Sequence, residues 1–571
     1  MRMLSLPLLA LAVLPAVAQK PCGNTPVYSP CEIVLELPPA VAAKNPNPPA
    51  TVELWAEFRS PEFKTYKFPA FWDGGSRMVL RVTPVEVGNY TYRLSGNVTE
   101  FEGKEDKFTS VANPDATAFI KRANAHHWQY TEALKPHLYF GADFTDLAAV
   151  ETRARQKFTH LALPVFSAKI DPAFFKQVDE RVAAINGKGM VADLIVTPTP
   201  AEFVKAYTTW SDRERFLRYL AARYSAYNIT WQLAGEWESS PNARPILKEV
   251  GLALKGLDPY GHPRSSRSAI TSAPLGPDGW MDFVMNGAPD LTVPAIEHIA
   301  NTVPQVVLID AALPEEAFRK RVWNAAISGA YISITGNLVD GSANAKTATG
   351  WFDTMSRTRF WDIEPYFDLD GGRAMANPET EYLVYIEHPQ KVEMTVEKHS
   401  YDVYWVNPST GEAVKEKKDW KGELYEGTPP DATRDWILHL SRDGRKEGML
   451  RSYKFESWPI PVQEPERSAV KAPFELVAPP SDMTLQAGQP VKFEIKLKKK
   501  TAGTRRMMYM LAGEIVPDGQ GTRILATGAE GTFVVPPVML TKSEGPMNVR
   551  LYVLNAPGKL YILDYVFTVK K

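Results

Sequence analysis

Cleaving a glycosidic bond takes two carboxyl groups set across it, about 5 Å apart if configuration is retained and wider if it is inverted. Two acids in this chain stand where such a pair would be needed. Glu236 falls near the end of the stretch N-I-T-W-Q-L-A-G-E-W-E-S over 228–239, in which Ile229, Trp231 and Leu233 make a short proline-free β-type run. Asp310 ends the apolar run Q-V-V-L-I-D over 305–310. In a parallel (β/α)8 barrel, acids at the carboxyl ends of strands face the active-site mouth. That placement makes Glu236 an acid/base and Asp310 a nucleophile or water-activating base. The competing roles are plain ones: Glu236 and Glu238 as solvated loop acids, and Asp310 as the cap of a helix opening at Pro314-Glu315-Glu316. Trp237 offers a flat face beside Glu236, Asp143 follows the first strand, and Trp351 is a further pocket candidate. Asp193 lies within the third strand and faces inward, whereas Asp282 opens the sixth and points to the opposite end of the barrel.

The elements that must position these residues alternate regularly between 118 and 373. Strands are expected at 137–143, 159–166, 190–197, 228–234, 264–268 (short and poor), 281–285, 305–310 and 330–335. Helices are expected at 146–157, 171–187, 212–227, 245–257, 293–303 and 314–329. This count fits a (β/α)8 barrel of about 250 residues. A doubly wound sheet is the alternative, but no G-x-G-x-x-G turn follows a strand. A small hairpin around 119–130 precedes the barrel. All-β segments flank it: a β-sandwich over 19–113, a second β-sandwich over 374–464, a proline-rich linker at 458–465, and an Ig-like β domain over 472–571. The fold class is therefore multidomain, with a central TIM barrel (114–373) between all-β domains.

A length of 571 residues exceeds one hydrophobic core. The formal charge of −1 excludes the basic excess of a phosphate-binding surface, so no nucleic-acid partner is expected. Residues 1–18 read as a signal peptide, with Arg2, an apolar run and the small-residue site Ala16-Val17-Ala18. Cleavage there implies a secreted or periplasmic protein without a membrane span; a retained anchor is the alternative. In that oxidising compartment Cys22 and Cys31 form one short-loop disulfide. His126-His127 lacks further ligands at metal spacing and reads as a loop pair, so neither metal nor cofactor is expected. No G-x-S-x-G elbow signals serine chemistry.

Several motifs carry resemblances. F-W-D-G-G (71–75), R-V-T-P (81–84) and G-N-Y-T-Y (88–92) resemble the uncharacterised β-sandwich that often precedes secreted glycoside hydrolase barrels. G-A-D-F (141–144), W-Q-L-A-G-E-W (231–237), D-P-Y-G-H-P-R-S (258–265), M-D-F-V-M (281–285) and R-K-R-V-W-N-A-A-I-S-G-A (319–330) together resemble the apiosidase-like glycoside hydrolases. Y-W-V-N-P-S-T-G-E (404–412) resembles a small domain, named for collagen binding, that ends many such hydrolases; here a buttress for the barrel is expected. The barrel resemblance implies hydrolysis of plant-type glycosides and gives Glu236 the acid/base place. This chain departs from the pattern at four points. Gly235 replaces Asn before the acid, and Asp310-Ala311 stands where a nucleophile Glu is usual. Arg267 stands in place of a strand-five His, and Asn286-Gly287 in place of a Gln followed by a His. Arg267 and Asn286 are thus the altered sugar-binding positions.

Two functions from different classes follow: an exported glycoside hydrolase acting on a plant or microbial polysaccharide, or a carbohydrate-binding protein on a degenerate barrel. A structural surface protein is a third.

Overall fold

A computed structural model describes residues 20–131, 135–240, 242–442, 464–480, 483–498, 507–515, 521–528, 533–539, 544–555 and 558–571. The expected signal peptide and most of the 458–465 linker lie outside the described residues.

The N-terminal unit is a two-sheet sandwich. One sheet runs Asn24–Pro26, Glu105–Val111, Gly88–Gly96, Leu54–Arg59, Thr65–Pro69; the other runs Cys31–Glu36, Arg77–Val82, Phe71–Gly74. In Gly88–Gly96 the residues Tyr90, Tyr92 and Leu94 are buried and Asn89, Thr91 and Arg93 exposed, the period of two that a half-buried strand requires. The Cys22–Cys31 disulfide is present and ties the leading segment to the sandwich.

The barrel strands are β1 (Phe140–Asp143), β2 (His160–Pro164), β3 (Val191–Thr197), β4 (Ile229–Ala234), β5 (Arg264–Ser265), β6 (Val284–Asn286), β7 (Gln305–Asp310) and β8 (Tyr331–Thr335). All ladders are parallel, in the order β5-β4-β3-β2-β1-β8-β7-β6. The seam between β5 and β6 closes through single contacts: Asp282 N–H donates to Arg264 O (2.8 Å) and Ser265 Oγ to Phe283 O (2.6 Å). The strand expected at 281–285 begins only at Val284. Asp282 stays at the amino-terminal end of the barrel, beside Arg264 (2.8 Å).

The helices are α1 (Leu147–Arg155), α2 (Pro172–Gly187), α3 (Pro200–Ala206), α4 (Trp210–Tyr224), α5 (Ala243–Leu257), α6 (Thr292–Ala300), α7 (Glu315–Ile327) and α8 (Ala343–Met355). Two were not anticipated. The start of α3 carried a readable signal, since Thr199 caps Glu202 N–H (3.2 Å) and Pro200 takes the first turn. In α8 the apolar residues Ala345, Ala348, Trp351, Phe352 and Met355 recur at helical spacing after the Ser342 cap, so it too carried a readable signal.

The sandwich is fastened to the barrel by a buried charge network. Arg81 from the sandwich and Arg223 from α4 both grip Asp179 of α2, at 3.0 and 2.7 Å, while Arg81 also holds Glu32 (2.7 Å) and Arg223 holds Asp73 (3.1 Å). Burial opposes the charge of Asp179, but the two guanidiniums pull its carboxyl below the ordinary range.

After the barrel a seven-stranded sheet begins with Glu364–Tyr366, ahead of the boundary expected at 374. Its 404–412 turn docks on the barrel. Trp323 Nε1 donates to Pro408 O (2.8 Å), and Gly350 lies so close that a β-carbon there would meet Thr410 and Gly411 backbone at 2.6–2.9 Å. The last β module packs Met510, Leu554, Leu560 and Ile562 onto Ala288, Val293 and Ile296 at α6.

Candidate functional site

Ladder register determines which side chains enter the barrel. Asp193 is an anchor, because its carboxylate accepts from Tyr139 Oη (2.7 Å) and Thr230 Oγ1 (2.7 Å) and meets His160 Nδ1 (2.9 Å), groups that can converge only inside. Residues paired across a ladder share a face. From Asp193↔Thr230 and Thr197↔Ala234, the inward column of β4 is Thr230, Gln232, Ala234. From Gly141↔Ser333 and Asp310↔Thr335, the inward columns of β1, β8 and β7 end in Asp143, Thr335 and Asp310. Asp193 itself is fully buried below the mouth. Burial opposes its charge, yet His160, Tyr139 and Thr230 hold it below the usual carboxylate range. With its partners satisfied it is a structural acid, which corrects its candidacy for chemistry.

At the mouth, Asp143 lies at the end of β1. Its Oδ2 accepts from Gly336 N (2.8 Å), and its Oδ1 lies 2.9 Å from an Arg267 guanidinium nitrogen. Arg267 follows β5 by two residues, with its amide still on Ala234 O (3.0 Å). β5 and β1 are four strands apart, so this guanidinium spans the mouth. Asp310 closes the column of β7. It is exposed, and its Oδ1 accepts from Ala312 N (2.9 Å) in the turn that follows. That turn ends before α7, whose N-cap position is Pro314, so the alternative role of Asp310 as helix cap does not hold. An open cavity of about 750 Å³ adjoins it, with Asp310 and Thr335 at the barrel end and Arg321, Asn324, Arg373 and Glu387 from α7 and the following sheet; Asp143 and Arg267 are not among its walls. This is the size of a ligand cleft.

Glu236 lies two residues beyond β4. The successive amides of Gly235 and Glu236 donate to Thr197 O (2.9 Å) and Pro198 O (3.1 Å), so the strict alternation of the strand is broken there. Its side chain is exposed and lies outside the wall of the Asp310 cavity. Glu238 is the better anchored acid: it accepts from Ser268 Oγ and from the amides of Ala269 (3.1 Å) and Ile270 (3.0 Å), stapling the loops after β4 and β5 together. Glu238 is therefore no free loop acid.

Three expected sugar contacts are corrected by burial. Trp237 is 2% exposed, with Nε1 shared between Ser268 Oγ (3.2 Å) and Thr271 O (3.3 Å). Asn286 is 0% exposed and faces outward with Val307; its amide donates to Glu297 (3.0 Å) and accepts from Ala288 N (3.0 Å). Trp351 is 0% exposed on α8, its ring 5.4 Å from outward-facing Phe140. Asn286 and Trp351 sit between strands and helices and Trp237 is packed under the loop that follows β5, so none offers a free face to a ligand. Asp143 and Arg267 do reach the mouth.

A cluster missed in the sequence lies at the other end of the barrel. Glu364 meets His126 Nδ1 (2.9 Å), His298 Nε2 (2.6 Å) and His127 Nε2 (3.3 Å). His126-His127 therefore has the partners its spacing did not reveal, supplied from 170 or more residues away.

Residues 147–311 match the model of the apiosidase-like catalytic domain. This apiosidase-like segment runs from the start of α1 to one residue past Asp310, so it contains Glu236, Arg267 and Asp310 but not Asp143. Residues 24–97, most of the sandwich, match a domain of unknown function (DUF5060). Among solved structures, a candidate glycoside hydrolase from Bacteroides vulgatus ATCC 8482 is 15% identical, with a TM-score of 0.61 over 73% of this chain and 99% of its own. A glycoside hydrolase family 5 protein from the same organism is 11% identical, with a TM-score of 0.49 over 59% of this chain and 94% of its own. No curated protein matches. The first of these structures thus shares the fold of this chain, a barrel flanked by β domains. Among the described residues, no helix is long and apolar enough to cross a membrane.

Proposed function

We propose that this protein is an exported glycoside hydrolase that cleaves O-glycosidic bonds in a plant or microbial polysaccharide. Glu236 protonates the leaving oxygen, and Asp310 acts as nucleophile or activates water from the opposite side. The supporting observation is that Asp310 closes the inward column of β7 in the wall of a ligand-sized cleft, and that Asp143 closes the inward column of β1 at the same end of the barrel, outside that wall. Arg267 orients Asp143 and presents its remaining N–H groups to substrate hydroxyl or carboxylate oxygens. The Cys22–Cys31 disulfide is consistent with a secreted or periplasmic location.

One observation favours a second reading, a non-catalytic glycan-binding barrel: the Glu236 side chain lies outside the cleft that Asp310 lines. A single experiment separates the two. Purified protein, Glu236→Gln and Asp310→Asn are screened for reducing-sugar release from polysaccharides and aryl glycosides. Each variant is expected to lose about 10²–10⁴-fold in kcat. Equal release by wild type and Glu236→Gln would overturn the assignment. Glycan retention by wild type without any release would establish the binding barrel.

A further inference from the structure

We propose that His126, His298 and Glu364 form a binding site for a divalent zinc-class cation at the amino-terminal face of the barrel, opposite the mouth. One donor atom from each lies within 4.8 Å of the others. The three come from separate parts of the fold: His126 from the hairpin that precedes the barrel, His298 from the last turn of α6, and Glu364 from the first strand of the following β sheet.

Proton accounting shows what the site lacks. His126 Nε2 lies 3.1 Å from Asn301 O, which can only accept, so this nitrogen carries a hydrogen, and in a neutral ring Nδ1 carries none. His126 Nδ1 then turns a lone pair toward both oxygens of Glu364, at 2.9 and 3.0 Å. Two acceptors face each other unless a positive charge joins them. His127 does not supply it: its Nδ1 takes the Tyr331 hydroxyl (2.8 Å), leaving Nε2–H for Glu364 Oε1 (3.3 Å). His298 directs Nε2 at the other carboxylate oxygen (2.6 Å), while its buried Nδ1 has no hydrogen-bond partner among the described residues.

A cation held by His126 Nδ1, His298 Nε2 and a Glu364 oxygen resolves the conflict. Two imidazoles and one carboxylate are a zinc-type donor set, not a calcium or magnesium one. The surroundings match what metal ligands require. A ligating His typically donates its other N–H to a carbonyl, as His126 does to Asn301, and a ligating carboxylate takes a further hydrogen bond, as Glu364 does from His127. The His298 ring is fixed in place by Gly329, where a β-carbon would come within 2.4 Å of it. Bonds of about 2.0–2.2 Å in a tetrahedron separate donors by roughly 3.3 Å, so the Glu364 carboxylate, now 2.9 Å from His126 and 2.6 Å from His298, would draw back from both by less than about 1 Å. Glu364 is partly exposed, which provides the entry path. The site lies away from the mouth and would join hairpin, α6 and β sheet.

The test uses the full chain without a polyhistidine tag. It is stripped with chelator, reloaded with zinc chloride, desalted and analysed for bound metal. About one zinc per chain is expected, with less than about a tenth of that retained by Glu364→Gln or His298→Ala. His127→Gln, which leaves all three ligands in place, is expected to bind about 10–100-fold more weakly. Circular dichroism verifies that each variant is folded, and Glu364→Gln carries the test if His298→Ala does not fold. Wild type retaining no more zinc than Glu364→Gln overturns the site. In that case the missing positive charge is a second proton on His126.

Discussion

Trp237 and Glu236 are neighbours in sequence with opposite environments. One is locked into the core by its indole N–H; the other is in solvent. If Trp237 packs rather than stacks on sugar, Trp237→Phe is expected to cost about 1 kcal/mol of stability, read as a lower denaturant midpoint, with KM unchanged. A raised KM at full stability would return it to the substrate site. Arg267 presents the reverse case. It is nearly buried, yet its ion-pair partner Asp143 sits on the opposite rim. Arg267→Met should leave the folded state close to wild type while weakening glycan retention or kcat/KM by about tenfold or more. That loss corresponds to one charge-assisted contact, and affinity electrophoresis or kinetics on the active polysaccharide would read it.

The junction between the sandwich and helices α2 and α4 depends on Asp179, gripped by Arg81 and Arg223. Removing the carboxylate takes away the partner shared by two buried guanidiniums and leaves each with a single carboxylate, Glu32 or Asp73, so Asp179→Asn is expected to cost up to about 3–5 kcal/mol at neutral pH. The pH dependence has a defined sign. The folded pKa of Asp179 is depressed, so its contribution is fully present above the unfolded carboxylate range and is lost as pH falls through the lower folded value. Wild type should lose stability progressively below about pH 4, and Asp179→Asn should show a flatter acid limb in denaturant titrations. Identical limbs would mean the pair is not coupled to folding.

At the scale of the molecule, the β modules are joined to the barrel by packed surfaces. The last module covers Ala288, Val293 and Ile296 at α6, and the 404–412 turn covers Trp323 and Gly350. Deleting residues 472–571 should therefore lower the thermal midpoint of the barrel and raise binding of a hydrophobic dye. An unchanged midpoint would show that the module is an independent appendage.

Period-two and period-3.6 patterns are local properties of a chain, and they were enough to predict the eight strands, most of the helices and the flanking β segments, while the short disulfide followed from two nearby cysteines in a chain read as exported. They also placed Asp143 and Asp310 at strand ends. Local pattern could not say which side of the layer a residue faces once a strand ends. Asn286 and Trp351 turned into the packing between strands and helices, and Trp237 under the loop after β5, because register and neighbouring elements, not sequence spacing, set that choice. Convergence over long separations is equally invisible in one dimension. His126, His298 and Glu364 have no common spacing, and only the closing of the barrel against the next β sheet brings their donor atoms to one point.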